Sequence, residues 1–204
     1  MRIGIDFDNT IASYDKVFSE VAVEWGLLRK GVACTKQAVC RAIRQSPDGD
    51  VKWQRLQGRV YGKYMSRAEV MDGVLDFLKC CRAAKLEVVV VSHKTMYGHF
   101  DPDRIDLRDA AYRWLQDNGF FNEHCMGLDR DRVFFESTRV DKLRRIAALE
   151  CGLFVDDLLE VLEDPSFPSG IRRCLFAPGG VGGEVRGIDV FRDWREITGA
   201  IFGG

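Results

Sequence analysis

A chain of 204 residues that is 46% hydrophobic and 30% charged, with a formal net charge of −1, can bury a core and suits one compact domain or one carrying a modest insertion. That composition excludes a disordered chain, and no apolar run approaches the roughly 20 residues that span a membrane. Seven cysteines without a CxxC pair suggest neither a disulfide framework nor a zinc ribbon. The opening Met1-Arg2-Ile3-Gly4-Ile5-Asp6 lacks the apolar stretch of a secretory signal, so a cytoplasmic globular protein is expected.

Taken in chain order, residues 2–6 read as a buried strand. Residues 14–67 follow with three helical segments and no convincing strand, which marks an insertion after the first strand. In its last segment Trp53, Leu56, Val60 and Tyr64 form an apolar stripe beside a basic one of Lys52, Arg55, Arg59 and Lys63, both at helical spacing. Lys and Arg outnumber Asp and Glu by 11 to 6 between residues 14 and 70, so the rest of the chain carries the acidic excess. The basic face is either a solvated surface or one turned toward an anionic substrate. Trp25, Trp53, Tyr61 and Tyr64 read mainly as the insertion's own small core, with base stacking by one of them as the alternative.

Beyond the insertion the pattern alternates. Helical patterns cover 70–84, 105–118, 140–150 and a short stretch from Leu158, and strands are expected at 87–92, 132–135, 153–155 and 173–176. Val88-Val89-Val90-Val91 is continuous rather than alternating, as in a central parallel strand covered on both faces. Strand alternating with helix predicts an α/β, doubly wound, Rossmann-like parallel sheet, residues 1–13 and 71–204, with a small all-α cap at 14–70. The glycine-rich stretch 177–188 is expected to be a loop; its Gly-Gly-Val-Gly-Gly lacks the Lys-Ser/Thr ending of a P-loop.

The sharpest local signal is Ile3-Gly4-Ile5-Asp6-Phe7-Asp8-Asn9-Thr10, an apolar strand ending in two carboxylates two residues apart. Ligands of open parallel sheets bind beyond the carboxyl ends of the strands, and paired carboxylates there repel unless a cation or shared proton compensates. The structural alternative is that Asp8 and Thr10 only cap the turn. Three further features weigh against it: Ser92-His93-Lys94 ends the second strand, Lys142 opens the helix after the third, and Asp156-Asp157 ends the fourth. Such a collection suits a hard, oxygen-liganded cation and a phosphoryl group.

These residues, in this order and over about three quarters of the chain, resemble the four motifs of the haloacid dehalogenase (HAD) superfamily. The resemblance implies a Mg²⁺-dependent phosphomonoester hydrolase. In it, Asp6 would be the nucleophile that forms an aspartyl phosphate, and Asp8 the general acid and base. Asp6, the Asp8 carbonyl and Asp157 would ligate Mg²⁺, with Asp156 behind them; the order of Asp156 and Asp157 stays open. Lys142 would neutralise the nucleophile and phosphoryl charge, with Lys94 the alternative for that role. Ser92 would hydrogen-bond a phosphoryl oxygen, with Asn9, Thr10, His93 and Lys94 lining the phosphate site. Dehalogenase members lack an acid at the position of Asp8, so its presence favours phosphoryl chemistry. The insertion falls where this superfamily often carries a helical cap that selects substrates.

Other residues have weaker claims. His93 has the alternative of closing the strand–loop junction through a backbone hydrogen bond. His99 and Asp101, in the loop at 98–103, and Arg139, before the Lys142 helix, are substrate candidates, Arg139 with the alternative of pairing with surface acids. His99, His124 and Cys125 do not make a zinc site. The expected partner is a small phosphorylated metabolite, a sugar phosphate or a nucleotide; nucleic acid is disfavoured because the chain is not basic overall. A phosphotransferase or mutase, and a non-catalytic binding domain on the same scaffold, are the competing readings.

Overall fold

The computed structural model describes residues 1–122, 126–183 and 185–203, so His124 and Cys125 lie outside the described residues. In chain order its elements are β1 (Arg2–Ile5), β2 (Ala12–Ser13), α1 (Asp15–Glu24), α2 (Lys36–Arg44), α3 (Gly49–Tyr61), β3 (Glu69–Val70), α4 (Val74–Ala83) and β4 (Glu87–His93). There follow α5 (Leu107–Asp117), β5 (Val133–Glu136), α6 (Arg139–Ala148), β6 (Leu153–Asp156), α7 (Leu159–Leu162), β7 (Arg172–Phe176), β8 (Asp189–Phe191) and α8 (Trp194–Phe202). The chain divides into two compact units: Met1–Ala12, Val70–Lys94 and Asn118–Gly204 form one, and Ser13–Glu69 with Thr95–Asp117 form the other.

The first unit holds a six-stranded parallel sheet in the order β5-β4-β1-β6-β7-β8, an α/β Rossmann-like architecture. β1 is central because its sequence is apolar throughout its interior, and Ile3 and Ile5 are fully buried. β4 packs against both α4 and α6, which is why an uninterrupted valine run is stable there. Val89 and Val91 join Leu143 and Ile146 of α6, Phe154 of β6 and Leu175 of β7 in one core cluster. Elsewhere in the unit Trp194 of α8 is buried against Phe77 of α4 and Phe176 of β7, at ring separations of 4.8 and 5.7 Å. Each such side chain contributes about 1.5–3 kcal/mol by leaving water. Gly4 is required by space: a Cβ there would stand 2.4 Å from the Phe154 ring.

The second unit is helical. Val17, Phe18 and Val21 of α1, Val39 and Ile43 of α2, and Trp53, Leu56 and Val60 of α3 supply its core, and Phe18 stacks on Trp53 at 5.0 Å. α5 adds Leu107, Ala111, Trp114 and Leu115, with the Trp114 indole donating to the Ala68 carbonyl at 2.9 Å. Residues 95–117 therefore pack with the insertion, although the alternation of strand and helix assigned them to the sheet unit. Helical periodicity does not say which neighbour an apolar stripe will meet.

Several elements differ from the sequence reading. The helix expected at 70–84 begins only at Val74, because Asp72-Gly73 makes a turn with Gly73 at φ +83°. α3 stops at Tyr61 before Gly62, so Lys63 and Tyr64 fall outside the helix that carries the two stripes. Trp25 is 38% exposed rather than part of the insertion's core. β8 and α8 have no counterpart in the sequence reading: β8 is three residues long with no fully buried side chain, so it carries no clear period. Among the described residues no helix is long and apolar enough to cross a membrane.

Candidate active site

The sheet order reverses at β1, whose neighbours β4 and β6 come from later in the chain on either side. Ile5 pairs with Val90 of β4 and Val155 of β6, so the next residues along β1 and β6, Asp6 and Asp156, leave the sheet side by side. The Asp6 amide continues the ladder by donating to the Val155 carbonyl at 2.8 Å. Both carboxylates are buried, at 4% and 0% exposure.

Lys142 reaches them from α6. Thr138 caps that helix by accepting from the Asp141 amide at 3.1 Å, which fixes where the first turn begins. From there the Lys142 ammonium, itself 1% exposed, donates to Asp6 Oδ1 and Asp156 Oδ2, each at 2.6 Å. Burial opposes its charge, but the Asp156 and Asp6 carboxylates prevail and hold its pKa above the ordinary lysine value. Asp156 also accepts from the Leu158 amide at 3.0 Å. Burial, with Asp6 close by, pushes its carboxyl up to about 6 against the pull of Lys142.

Asp157 completes the cluster. Ligand oxygens of Asp6, Asp156 and Asp157 all lie within 4.8 Å of one another. Asn9, held at φ +61° in the turn after β1, donates from Nδ2 to Asp157 Oδ2 at 3.1 Å. The three carboxylates carry more negative charge than the Lys142 ammonium on Asp6 and Asp156 offsets, an excess that a divalent cation would neutralise. The donors are hard oxygens, as Mg²⁺ prefers, so the residues present fit that ion.

A second ion pair stands beside the first. Lys94, 3% exposed, holds Asp8 at 2.9 Å to Oδ1 and 2.8 Å to Oδ2. Its ammonium lies 5.4 Å from the Phe7 ring centroid and 6.0 Å from that of Phe135, and its amide donates to the Glu136 carbonyl at 2.8 Å. The two lysines are divided between the two motif carboxylates: Lys142 touches Asp6, and Lys94 touches Asp8. Ser92 is buried one residue before the end of β4, at the same sheet edge.

Thr10 is fully buried, and among the described residues its Oγ1 has no hydrogen-bond partner. Its carbonyl accepts from the Trp194 indole at 3.0 Å, so α8 braces the turn that carries Asp6 and Asp8. Sequence reasoning missed Trp194. The available signal was Asp193-x-x-Glu196, a helix-start signature: Asp193 accepts from the Arg195 and Glu196 amides, both at 2.9 Å.

Other candidates are engaged elsewhere. His93 is exposed and its Nε2 lies 3.0 Å from the Ser137 carbonyl, the backbone contact that was its alternative. Arg139 pairs with Glu160. Asp101 belongs to the helical unit, where its carboxylate meets Arg59 at 3.2 Å and the Ile105 amide at 3.1 Å.

No family model matches the chain, and no curated protein matches it in sequence. Solved structures do resemble it. Protein Tyrosine Kinase A of Mycobacterium tuberculosis is 15% identical with a TM-score of 0.64, over 98% of this chain and 97% of that one. A HAD family hydrolase from Deinococcus radiodurans R1, solved with bound phosphate and sodium, is 14% identical with a TM-score of 0.57, over 98% and 94%. A predicted phosphoglycolate phosphatase from Haemophilus somnus 129pt is 13% identical with a TM-score of 0.54, over 98% and 96%. A buried Asp–Lys–Asp triad at the switch point of this sheet, on a fold shared along nearly the whole chain with such proteins, gives the chain the fold of the haloacid dehalogenase-like hydrolases.

Proposed function

We propose that the protein is a Mg²⁺-dependent phosphatase that hydrolyses a small phosphorylated metabolite through an aspartyl phosphate on Asp6. The observation that carries the reading is the burial of Asp6 beside Lys142 and Asp156, with Asp157 completing a three-carboxylate cluster. An Asp6 carboxylate oxygen attacks phosphorus, and the bond from phosphorus to the ester oxygen breaks. The departing oxygen takes a proton from the Asp8 carboxyl, which acquires that proton from solvent before the ester bond breaks and which Lys94 holds in place. Asp8 then takes a proton from water as that water attacks phosphorus, and the acyl phosphate opens to release inorganic phosphate and restore Asp6. Lys142 holds Asp6 in place and screens charge gathering on the phosphoryl oxygens, while Ser92 donates to one of them.

Asp6, Asp157 and the Asp8 carbonyl would hold the Mg²⁺, with Asp156 supporting them through Lys142. Bound there, the ion supplies Lewis-acid stabilisation of the phosphoryl oxygens. Residues 14–70 act as the substrate-selecting cap of this reading, with 95–117 as part of the same unit.

The test is phosphate release from a panel of sugar phosphates, nucleotides and p-nitrophenyl phosphate, with Mg²⁺ and with EDTA, by wild type and Asp6→Asn. Metal-dependent release that falls about 10³-fold or more in Asp6→Asn is expected. Equal release by the two proteins would refute the reading. The name of the M. tuberculosis neighbour keeps transfer to an acceptor other than water as a second reading. Phosphoryl label recovered on an added acceptor rather than as free phosphate would select it.

A further inference from the structure

The helical unit carries a cavity of about 530 Å³ lined by Trp25, Arg55, Arg59, Phe100, Asp101 and Pro102. A cavity of this size suits one small organic molecule. Its two aromatic walls are unusually open to solvent: Trp25 is 38% exposed and Phe100 56%. Phe100 sits at φ +56°, a left-handed conformation that bulky side chains rarely adopt. Asp101 over-determines that loop by accepting from the Asp103 and Ile105 amides and pairing with Arg59. An aromatic ring left half in water on a left-handed backbone is what a preformed stacking surface requires.

The two arginines differ in a way that defines the ligand. Arg59 is committed to Asp101 and Asp103. Arg55 is exposed and makes no ion pair or hydrogen bond among the described residues; its guanidinium lies over the Phe100 ring at 5.7 Å. The cavity therefore offers two aromatic rings and a guanidinium that carries no ion pair among the described residues and rests over one of those rings, and its lining charges sum to one positive. A flat aromatic ring joined to an anionic group satisfies all three.

We propose that this cavity binds a nucleoside monophosphate, its base against Trp25 and Phe100 and an anionic oxygen on Arg55. The proposal concerns binding within the helical unit and stands independently of the phosphatase reading. A single nucleotide fits the cavity volume, and a chain with net charge −1 lacks the basic excess of a polynucleotide binder.

The experiment is calorimetric titration of the full-length protein in EDTA, where no turnover is required, with AMP, adenosine, ribose 5-phosphate and a 5′-phosphorylated oligodeoxynucleotide. AMP is expected to bind at least about tenfold more tightly than ribose 5-phosphate. Trp25→Ala and Phe100→Ala should each weaken AMP about tenfold and leave ribose 5-phosphate unchanged. Arg55→Gln, a surface change that spares the fold, should weaken AMP and leave adenosine as it was.

Equal binding of AMP and ribose 5-phosphate would overturn the proposal, as would AMP binding untouched by all three variants. Binding of the oligonucleotide that tightens with its length would overturn it in favour of a nucleic-acid strand. Base-selective binding by a protein that releases no phosphate would refute the phosphatase reading alone. Phosphate release without base selectivity would refute this one alone.

Discussion

Lys142 and Asp6 are 136 positions apart in the chain, and their side chains meet at 2.6 Å in the protein interior. Asp156 shares the same ammonium at the same distance. Two carboxylates on one buried cation make the lysine the component whose loss is least tolerable.

Lys142→Met leaves Asp6 and Asp156 buried without their cation. Urea denaturation in EDTA should show a loss of about 3–5 kcal/mol. Converting Asp156 to Asn in the same chain removes one of the stranded charges and should restore part of that loss. A Lys142→Met protein as stable as wild type would mean that the triad is solvated rather than buried.

Asp8 and Lys94 make a prediction about chemistry rather than stability. If Asp8 supplies the leaving-group proton, Asp8→Asn should depress hydrolysis of an alkyl phosphate by about 10²–10⁴-fold. p-Nitrophenolate departs without that proton. Rapid mixing of Asp8→Asn with p-nitrophenyl phosphate and Mg²⁺ should therefore give a burst of about one nitrophenolate per protein, followed by slow turnover as the aspartyl phosphate waits for a base. A linear time course with no burst would assign the role elsewhere.

Within the helical unit, α3 and the loop at residue 98 approach backbone to backbone. A Cβ on Gly98 would stand 2.4 Å from Gly58 Cα, and one on Gly58 would stand 2.9 Å from the His99 carbonyl oxygen. Neither backbone can yield without moving an element. Gly98→Ala should destabilise the protein by about 1–3 kcal/mol in thermal or urea denaturation. Gly179→Ala, where a Cβ meets nothing within 4 Å, is the matched control and should be near neutral.

The buried thiols predict an alkaline limit. Burial pushes Cys81 and Cys174 up to about 12 and Cys151 up to about 11, from an ordinary value of 9.0. The folded state thus holds these protons more tightly than the unfolded chain does. Their contribution to stability is intact below pH 9 and is lost as pH rises through the folded values. The urea midpoint should fall between pH 8.5 and about 11, and Cys174→Ala should shrink that fall. Cys34, which is exposed, should react with iodoacetamide in the native protein long before these three.

Local chemistry made much of this protein legible. The Ile3-Gly4-Ile5 run and the four valines of β4 announced parallel strands because a strand covered on both faces leaves no polar positions. The carboxylates and the lysine of the site could be listed because each lies at or just beyond the end of a recognisable element. The sequence alone therefore determined the α/β class and the first strand with its two carboxylates, and it named the residues proposed for the site.

The tertiary structure decided how that roster is paired. Nothing local distinguishes Lys94 from Lys142; the register of β1 with β4 and β6, and the packing of α6 on the sheet, assign one to Asp8 and the other to Asp6. The same holds for residues 95–117, whose amphipathic helix suits either unit until Trp114 finds the Ala68 carbonyl. Trp194 is the plainest case. Its role depends on a hydrogen bond to Thr10, 184 residues away, and a periodicity read over one helical turn carries no information across that separation.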